Sequence, residues 1–392
     1  MGLTPQVIAG LHPRLSAQRL GDVARDAALD LYLMALAEND AFARGGLVFK
    51  GGTAVRKFHC DPQRYRRISY DLDFALTADP DRDRLTRIMS IRDRGRGLNS
   101  TLALGRHSRV RIDVPFIAEP LSVACDFAPS VPIQQPVMAR LLPRPIHGHY
   151  RSDVTCAVPV MTPDEVASEK LARWQRRPTV RDLYDLTSLR PVIEDPAAVC
   201  EMYVIKSHQD FHNPTKGPST ASPAPVELEG LIDGPDIGDL NPNELQFDAP
   251  TTRHDKQQLI SNMLTALPER YGFCIELMNA DMNRWAADTT GAYTHQIQDA
   301  IAALRQASTT QHHNHNHNHN RDDRDHRDDD RDIDDYRDDD RDILDHRDDD
   351  LDIHPFDRDD IEHDDPYAIY PPDYHTSRWP RRDTRYGGGI GL

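Results

Sequence analysis

The 392-residue chain contains little cysteine and no long apolar run. Its five cysteines are scattered, none forms a CxxC pair, and the odd number argues against a disulfide framework or a zinc knuckle. No stretch of 18 apolar residues occurs, and the N-terminal segment MGLTPQVIAGLHPRL has no apolar signal-peptide core. These absences predict a soluble, cytoplasmic protein with reduced thiols and no membrane contact.

The negative net charge is concentrated at the C-terminal end of the chain. Residues 311–392 contain 26 acidic and 12 basic residues, a net charge of −14 out of −17 for the whole chain. Decapeptide repeats begin at Asp325, Asp335 and Asp345, and each contains only one or two aliphatic residues. Such a segment cannot offset the entropy cost of folding. We therefore predict a disordered tail of acidic Asp/Arg repeats over residues 308–392.

The rest of the chain shows the periodicities of an α/β (α+β) protein. Apolar residues recur at helical spacing over residues 16–40, and TPDEVASEKLARWQRR predicts a helix capped by Thr162, with Pro163 in its first turn. Alternation of apolar and polar residues predicts strands in ISYDLDFAL and RVRIDVPFI. Before the tail we expect three segments: a core over residues 1–200, a Pro/Gly-rich loop or linker over 201–256, and a helical C-terminal subdomain over 257–307.

A glycine-rich turn precedes the first of these two strands. Gly51, Gly52 and Thr53 lie between a short apolar strand, LVF, and a predicted helix, AVRKF. At such a turn the backbone N–H groups can approach a phosphate closely, because glycine has no side chain. A Gly-Gly pair alone is common in turns, but the order of turn, helix and DxD strand is typical of nucleotidyl transfer sites.

Paired aspartates follow on the strand itself. In ISYDLDFAL the alternation places Ser69, Asp71 and Asp73 on one face and the apolar residues on the other. Two or three carboxylates are the ligands that Mg²⁺ or Mn²⁺ needs beside a triphosphate. Asp113, on the polar face of RVRIDV, is the candidate third ligand. The pattern predicts metal-dependent nucleotidyl transfer with an NTP as substrate.

Two more motifs follow in the chain, an E-K-L segment at Glu169–Leu171 and an R-D-x-x-D-L segment at Arg181–Leu186. Together with KGGT and SYDLDF they resemble the AbiEii family of nucleotidyltransferase-like toxins, within the DNA polymerase beta superfamily. The resemblance covers about residues 20–190. It implies a DNA polymerase beta-like nucleotidyltransferase core with a small mixed sheet.

The resemblance also implies roles for individual residues. Lys170 would meet the triphosphate, with Arg173 one turn further on the same helix face, while the choice between Asp182 and Asp185 as the essential carboxylate stays open. From the residues alone, two alternatives stay open: Lys170 and Arg173 could lie on a solvated helix face, and Arg181 could form a structural ion pair with either aspartate. The implied catalytic residues are Asp71, Asp73, Lys170, Asp185 and Ser69, and the implied nucleotide-binding residues are Gly51, Gly52, Thr53, Lys170, Arg173, Arg181 and Asp182.

The resemblance further implies transfer of NMP to the 3′ end of tRNA, by a toxin that a cognate winged-helix antitoxin neutralises. The segment from Arg56 to Arg111 contains 14 basic and 7 acidic residues. This excess of positive charge favours a polyanionic acceptor such as RNA. A mixed charged surface would have the same composition. Two other functions stay open: an NTP-binding regulatory protein without transfer activity, and an enzyme that nucleotidylates a protein hydroxyl.

Overall fold

Within the described residues, eight strands form one mixed sheet at the centre of the fold. The structure is a computed structural model and describes residues 4–11, 17–62, 64–78, 81–105, 107–128, 131–142, 157–213, 224–226, 234–247 and 251–325. The strands are β1 (Leu47–Lys50), β2 (Leu72–Leu76), β3 (Arg92–Asp93), β4 (Leu98–Ala103), β5 (Arg109–Asp113), β6 (Leu121–Ala128), β7 (Val137–Arg140) and β8 (Ala157–Val160). Their order in the sheet is β3-β4-β5-β6-β2-β1-β8-β7.

The centre of the sheet is where its strand directions change. β2 pairs antiparallel with β1 and parallel with β6, and β1 pairs parallel with β8. Lys50 at the end of β1 lies opposite Asp73, and Asp73 in turn lies opposite Asp126 of β6. The three central strands therefore bring charged residues from distant parts of the sequence to one region of the sheet.

Helices cover both faces of this sheet. They are α1 (Pro5–Leu11), α2 (Ala17–Glu38), α3 (Ala41–Gly45), α4 (Gly51–Ala54, continued by a π-helical turn at Val55–His59), α5 (Arg82–Met89), α6 (Pro163–Arg176), α7 (Val180–Leu189), α8 (Pro196–Phe211), α9 (Arg253–Tyr271), α10 (Phe273–Glu276), α11 (Ala280–Ala286) and α12 (Thr294–Asp325). The predicted cap of α6 is confirmed: Thr162 Oγ1 accepts a hydrogen bond from the Glu165 N–H, and Pro163 begins the helix.

Alternation along the central strands divides the core in two. Phe49 and Phe74 pack with the apolar side of α2, with their ring centroids 5.3 Å apart. Val48 and Ala75 point to the other face and pack with α6, α7 and α8, where Trp174 is buried. This two-sided burial is what an alternating strand inside an α/β sheet requires, and the predicted α/β class is confirmed.

Two segments are more helical than composition suggested. α8 continues to Phe211, so residues 201–211 are helix rather than a Pro/Gly-rich loop. Asp195 caps its first turn, and neither proline nor glycine follows Pro196 within the helix. α12 likewise continues to Asp325 without either residue, so residues 308–325 are helical where a disordered tail was predicted. Residues 326–392, which contain most of that predicted tail, lie outside the described residues.

The C-terminal helices share the core of α6, α7 and α8. Ile260 and Tyr271 of α9, Trp285 of α11 and Ile297 of α12 are all buried in it. Tyr271 also donates a hydrogen bond from its hydroxyl to the carbonyl of Leu186 in α7, at 2.7 Å. The predicted C-terminal helices thus brace the layer that carries α6 and α7.

A buried ion cluster joins α2 to the π-helical turn that follows α4. Lys57 Nζ donates to Asp26 Oδ1 at 2.9 Å and also to Asp30 Oδ1, and both Lys57 and Asp30 are almost fully buried. Arg56 Nη2 donates to Asp26 Oδ2 at 3.0 Å. Since buried charges are tolerated only when they are paired, this cluster fixes the turn against α2.

We expect Lys57→Met to lower the free energy of unfolding by about 3–5 kcal/mol, because it removes one partner of a buried ion cluster. Urea denaturation measures the effect. The double variant Asp30→Asn/Lys57→Met should recover part of the loss, because it also removes the facing charge. Arg64→Met is the matched control, since its pair with Asp61 is exposed and should change stability by less than about 0.5 kcal/mol. Equal effects of Lys57→Met and Arg64→Met would contradict the prediction.

Candidate active site

The glycine turn packs directly against the aspartate strand. β1 ends at Lys50, and Gly51 follows with its backbone in the left-handed region at φ +78°. A Cβ on Gly51 would overlap the carboxylate of Asp73, so glycine is required both for the backbone conformation and for space. Thr53 Oγ1 donates a hydrogen bond of 2.6 Å to the carbonyl oxygen of Asp71. The turn and the two aspartates therefore form one structural unit.

A third carboxylate, that of Asp126, lines the same cavity. β2 and β6 run parallel with Asp73 opposite Asp126, and both residues line a cavity of about 920 Å³ together with Asp71. Burial and the neighbouring Asp71 raise the pKa of Asp73 to about 6, against the opposing effect of Lys50. Negative charge at this point of the sheet is thus concentrated and incompletely balanced.

This donor set suits a hard divalent cation. Mg²⁺ and Mn²⁺ prefer carboxylate oxygens, and each such site is often completed by water and by phosphate oxygens of the substrate. The pKa of Asp73 is raised first by burial and then by the neighbouring carboxylates, and a bound cation would offset both effects. Asp71, Asp73 and Asp126 therefore fit the metal that the sequence predicts.

Asp113 lies away from this cavity. It is exposed at the end of β5, opposite Asn99 of β4, and lines a separate groove with Thr101. β6 separates β5 from β2, and the register places Asp113 level with residue 120 of the chain. That level is about 20 Å along the strand from Asp126, at roughly 3.3 Å per residue. The strand beside β2 is β6, so the carboxylate next to the DxD pair is that of Asp126 and not that of Asp113. Alternation within a strand could not reveal this, because it does not indicate which strand neighbours β2.

Behind the turn, the carboxylate of Asp185 is the centre of a buried network. Arg67 donates to it from Nε at 3.0 Å and from Nη2 at 2.9 Å, and the hydroxyl of Tyr65 donates at 2.5 Å. Lys170 Nζ lies 2.5 Å from Asp185 Oδ2. A Cβ on Gly52 would lie 3.2 Å from the same oxygen and would overlap the Arg67 guanidinium. The second glycine is therefore needed because this network fills the space behind it.

Asp182 holds the other side of the Lys170 ammonium. Lys170 Nζ donates to Asp182 Oδ1 at 3.0 Å, and the Thr179 hydroxyl donates to Asp182 Oδ2 at 2.7 Å. Burial lowers the pKa of Lys170, but Asp185 and Asp182 outweigh that effect and keep the pKa above its ordinary value. Both aspartates of the R-D-x-x-D-L motif therefore position the same cation.

The remaining predicted residues also lie at this site. Arg173 is half-exposed, lines the cavity, and places its Nε 3.3 Å from Asp182 Oδ2. Arg181 is 4.0 Å from Asp71 Oδ2 and 3.7 Å from Glu244. Ser69 Oγ would lie 3.3 Å from a Cβ on Gly52. Apart from Asp113, the structure brings every predicted site residue to the turn or to the cavity.

Sequence reasoning missed Asp126, Arg67, Tyr65 and Lys50. Asp126 carries one local signal, a carboxylate in the apolar strand LSVACDFA, but nothing near it in sequence indicates that β6 pairs with β2. Lys50 immediately precedes the glycines and donates to both oxygens of Glu169 at 3.1 Å. Its position before the turn was a usable signal.

The basic excess between Arg56 and Arg111 is only partly a surface feature. Arg56, Lys57 and Arg67 are buried in the two ion networks and are not available to a polyanion. Arg82 and Arg109 do line the cavity. Composition overstated the positive surface, because it cannot distinguish a buried cation from an exposed one.

We expect Asp73→Asn to stabilise the metal-free protein at pH 7 by about 1–2 kcal/mol, after discounting for solvent screening. The folded state raises the pKa of Asp73 to about 6 and so binds more protons than the unfolded state between about pH 4 and 6. In the unsubstituted protein, the Asp73 carboxylate therefore lowers the free energy of unfolding increasingly as pH rises through that window. Asp73→Asn removes this destabilising effect.

Urea denaturation in chelator at pH 4.5 and pH 7 measures this gain. Asp113→Asn is the control, because Asp113 is exposed and should change stability by less than about 0.5 kcal/mol. A gain for Asp73→Asn that is the same at both pH values would contradict the assignment.

Two of three comparisons relate the chain to known proteins. No curated protein sequence matches it. Residues 34–271, more than half of the chain, match the family described as "Nucleotidyl transferase AbiEii toxin, Type IV TA system". Within the described ranges, none of the helices combines the length and the apolar character that spanning a bilayer requires.

Among solved structures, the chain is similar to the nucleotidyltransferase toxin MenT4 from Mycobacterium tuberculosis H37Rv. The match has a TM-score of 0.64 and 25% sequence identity, and it covers 78% of this chain and 100% of that one. The family match includes the KGGT turn, the DxD strand, α6 and α7. The chain thus belongs to the AbiEii family of nucleotidyltransferase toxins of type IV toxin–antitoxin systems.

Proposed function

We propose that the protein transfers NMP from an NTP to an RNA acceptor, the 3′ end of tRNA, with Mg²⁺ or Mn²⁺ as cofactor. The observation that carries the proposal is the packing of the Gly51–Gly52 turn against Asp73, which lines one cavity together with Asp71 and Asp126. Phosphoryl transfer depends on positioning and on charge stabilisation, and this arrangement offers both.

The division of labour follows from where each side chain lies. Asp71, Asp73 and Asp126 would hold the metal, which supplies charge neutralisation at the phosphates when bound. The two glycines let the start of α4 pack closely against Asp73 and Arg67, and the backbone N–H groups at this helix start would bind phosphate oxygens. Arg173 faces the cavity and supports triphosphate binding directly.

Lys170 lies behind the glycine turn and does not line the cavity. Its ammonium is held between Asp182 and Asp185, so it supplies positive charge behind the turn at a fixed position. Asp185 also fixes Arg67 against Gly52. We infer that Lys170 and Asp185 hold the glycine turn in the position that binds the triphosphate. Loss of either side chain would displace the turn.

Exposed basic residues at the cavity support an RNA acceptor. Arg82, Arg109 and His107 line it on the side of β5 and α5, where phosphates of a strand could be bound by shape and charge. The family implies a cognate antitoxin, and we propose a winged-helix protein for that partner. Free thiols at Cys60, Cys125, Cys200 and Cys274 support a reducing compartment, the cytoplasm.

We expect Asp126→Asn and Asp71→Asn to lower the transfer rate at least 100-fold, because each removes a charged metal ligand. Asp113→Asn is the matched control and should leave the rate within about twofold, because Asp113 lies in another groove. The measurement is incorporation of labelled NMP into purified tRNA in the presence of Mg²⁺, with each of the four NTPs in turn.

The same experiment distinguishes the competing functions. Label in a protein band of a lysate, without label in tRNA, would replace the RNA acceptor with a protein hydroxyl. NTP binding with Mg²⁺ but no labelled acceptor of any kind would favour a regulatory protein. Full transfer by Asp71→Asn would remove the catalytic assignment of the cavity.

We expect transfer at subsaturating Mg²⁺ to increase with pH through a midpoint near the pKa of Asp73, about 6. Protons and Mg²⁺ compete for the same carboxylate, so a higher Mg²⁺ concentration should shift the midpoint to lower pH. Lys50→Met should shift it to higher pH, because the Lys50 ammonium lowers the pKa of Asp73. Arg64→Met, at an exposed position, is the control. A midpoint independent of Mg²⁺ would contradict the assignment.

A further inference from the structure

A second cluster of metal-binding side chains lies between α8 and the loop after α11. His208 and His212 are one helical turn apart on α8, so they project from the same face. Asp288 follows α11 and is buried against them. None of the three belongs to the carboxylate cavity or to the Asp185 network. The nucleotidyl transfer chemistry therefore leaves this cluster unexplained.

The three side chains converge on one point. The imidazole Nε2 of His208 donates to Asp288 Oδ2 at 3.0 Å, and His212 Nε2 donates to the carbonyl oxygen of Asp288 at 2.9 Å. One ligand atom from each residue lies within 4.8 Å of the others, and the two imidazole centroids are 4.3 Å apart. Tetrahedral zinc with bonds of about 2.0–2.1 Å separates its ligand atoms by about 3.3 Å. The 3.0 Å between His208 Nε2 and Asp288 Oδ2 is near that spacing, and the ligand atom of His212 lies within 4.8 Å of the other two.

The carboxylate of Asp288 is held in place by the loop that follows it. Its Oδ1 accepts hydrogen bonds of 2.9 Å from the N–H groups of Thr290 and Gly291 and from the Thr290 hydroxyl, and its Oδ2 accepts one of 3.0 Å from the Tyr293 N–H. Metal-binding carboxylates are typically oriented by such outer hydrogen bonds. The loop therefore holds the Asp288 carboxylate in a fixed orientation beside His208.

The chemistry of the donor set also favours zinc. Two imidazole nitrogens and one carboxylate oxygen suit zinc far better than magnesium, which prefers oxygen ligands.

We propose that His208, His212 and Asp288 bind one zinc ion, which ties α8 to the loop after α11 at a site separate from the catalytic cavity. On binding, each imidazole would carry its hydrogen on Nδ1 and offer Nε2 to the ion, and water would complete the tetrahedron. Its role would be structural, since it links two segments of the helical layer that carries α6 and α7.

The histidine run at residues 312–319 is a competing zinc ligand, and the experiment has to remove it. In the full-length chain, His312, His313, His315, His317 and His319 are replaced by asparagine, and Mg²⁺ is kept in excess to occupy the carboxylate cavity. We expect this protein to bind one zinc per chain, measured by metal analysis after dialysis and by titration against a chromophoric chelator. His212→Gln in the same background should weaken binding at least tenfold.

Cobalt(II) provides a readout that depends on coordination geometry. Binding at the proposed site should give the strong visible absorption of a tetrahedral complex, and His212→Gln should abolish it while circular dichroism confirms the fold. Asp288→Asn is the second variant, because it removes the charge but keeps an oxygen ligand of similar size. His295→Asn, which removes an exposed histidine paired with Asp299 at 3.3 Å, is the matched control and should leave zinc content unchanged.

Two results would overturn the proposal. The first is that the run-replaced protein retains no zinc at micromolar free metal. The second is that it retains zinc and gives the same cobalt spectrum after His212→Gln. In either case the cluster would be a hydrogen-bonded anchor of the loop and no metal site. Because neither readout uses nucleotidyl transfer, the outcome is independent of the function proposed for the cavity.

Discussion

The carboxylate of Asp185 is the interaction on which the site depends. It is fully buried and binds the guanidinium of Arg67, the hydroxyl of Tyr65 and the ammonium of Lys170. These partners come from the segment before β2 and from α6, while Asp185 itself belongs to α7. Gly52 fits against the same network because it has no side chain. In a low-dielectric interior, such a paired network is rigid as long as each charge keeps its partners.

The charges on the two sides of the glycine turn are arranged in opposite ways. Behind it, Asp182 and Asp185 are balanced by Lys170, Arg67 and Arg173. In front of it, three carboxylates share one cavity, and the pKa of Asp73 is raised. A structure that only had to fold would avoid the second arrangement, because like charges destabilise it. The imbalance is therefore the clearest mark of function in the molecule.

Local features of the sequence predicted most of this site. Strand alternation identified Asp71 and Asp73, and the cap at Thr162 located α6. Asp126 was missed because its place beside Asp73 depends on β2 pairing in parallel with β6, about fifty residues further along the chain, and no local pattern encodes that pairing. Arg67 was counted as surface charge because its partner, Asp185, lies 118 residues away. Residue spacing in the sequence could not predict contacts between segments that only the folded chain brings together.

The position of Asp185 also has a consequence for biosynthesis. A nascent chain that ends before α7 already contains the glycine turn, all three carboxylates and the central strands β1, β2 and β6. It still lacks the group that neutralises Arg67 and seats Gly52. The buried network behind the glycine turn can therefore form only after α7 has been synthesised.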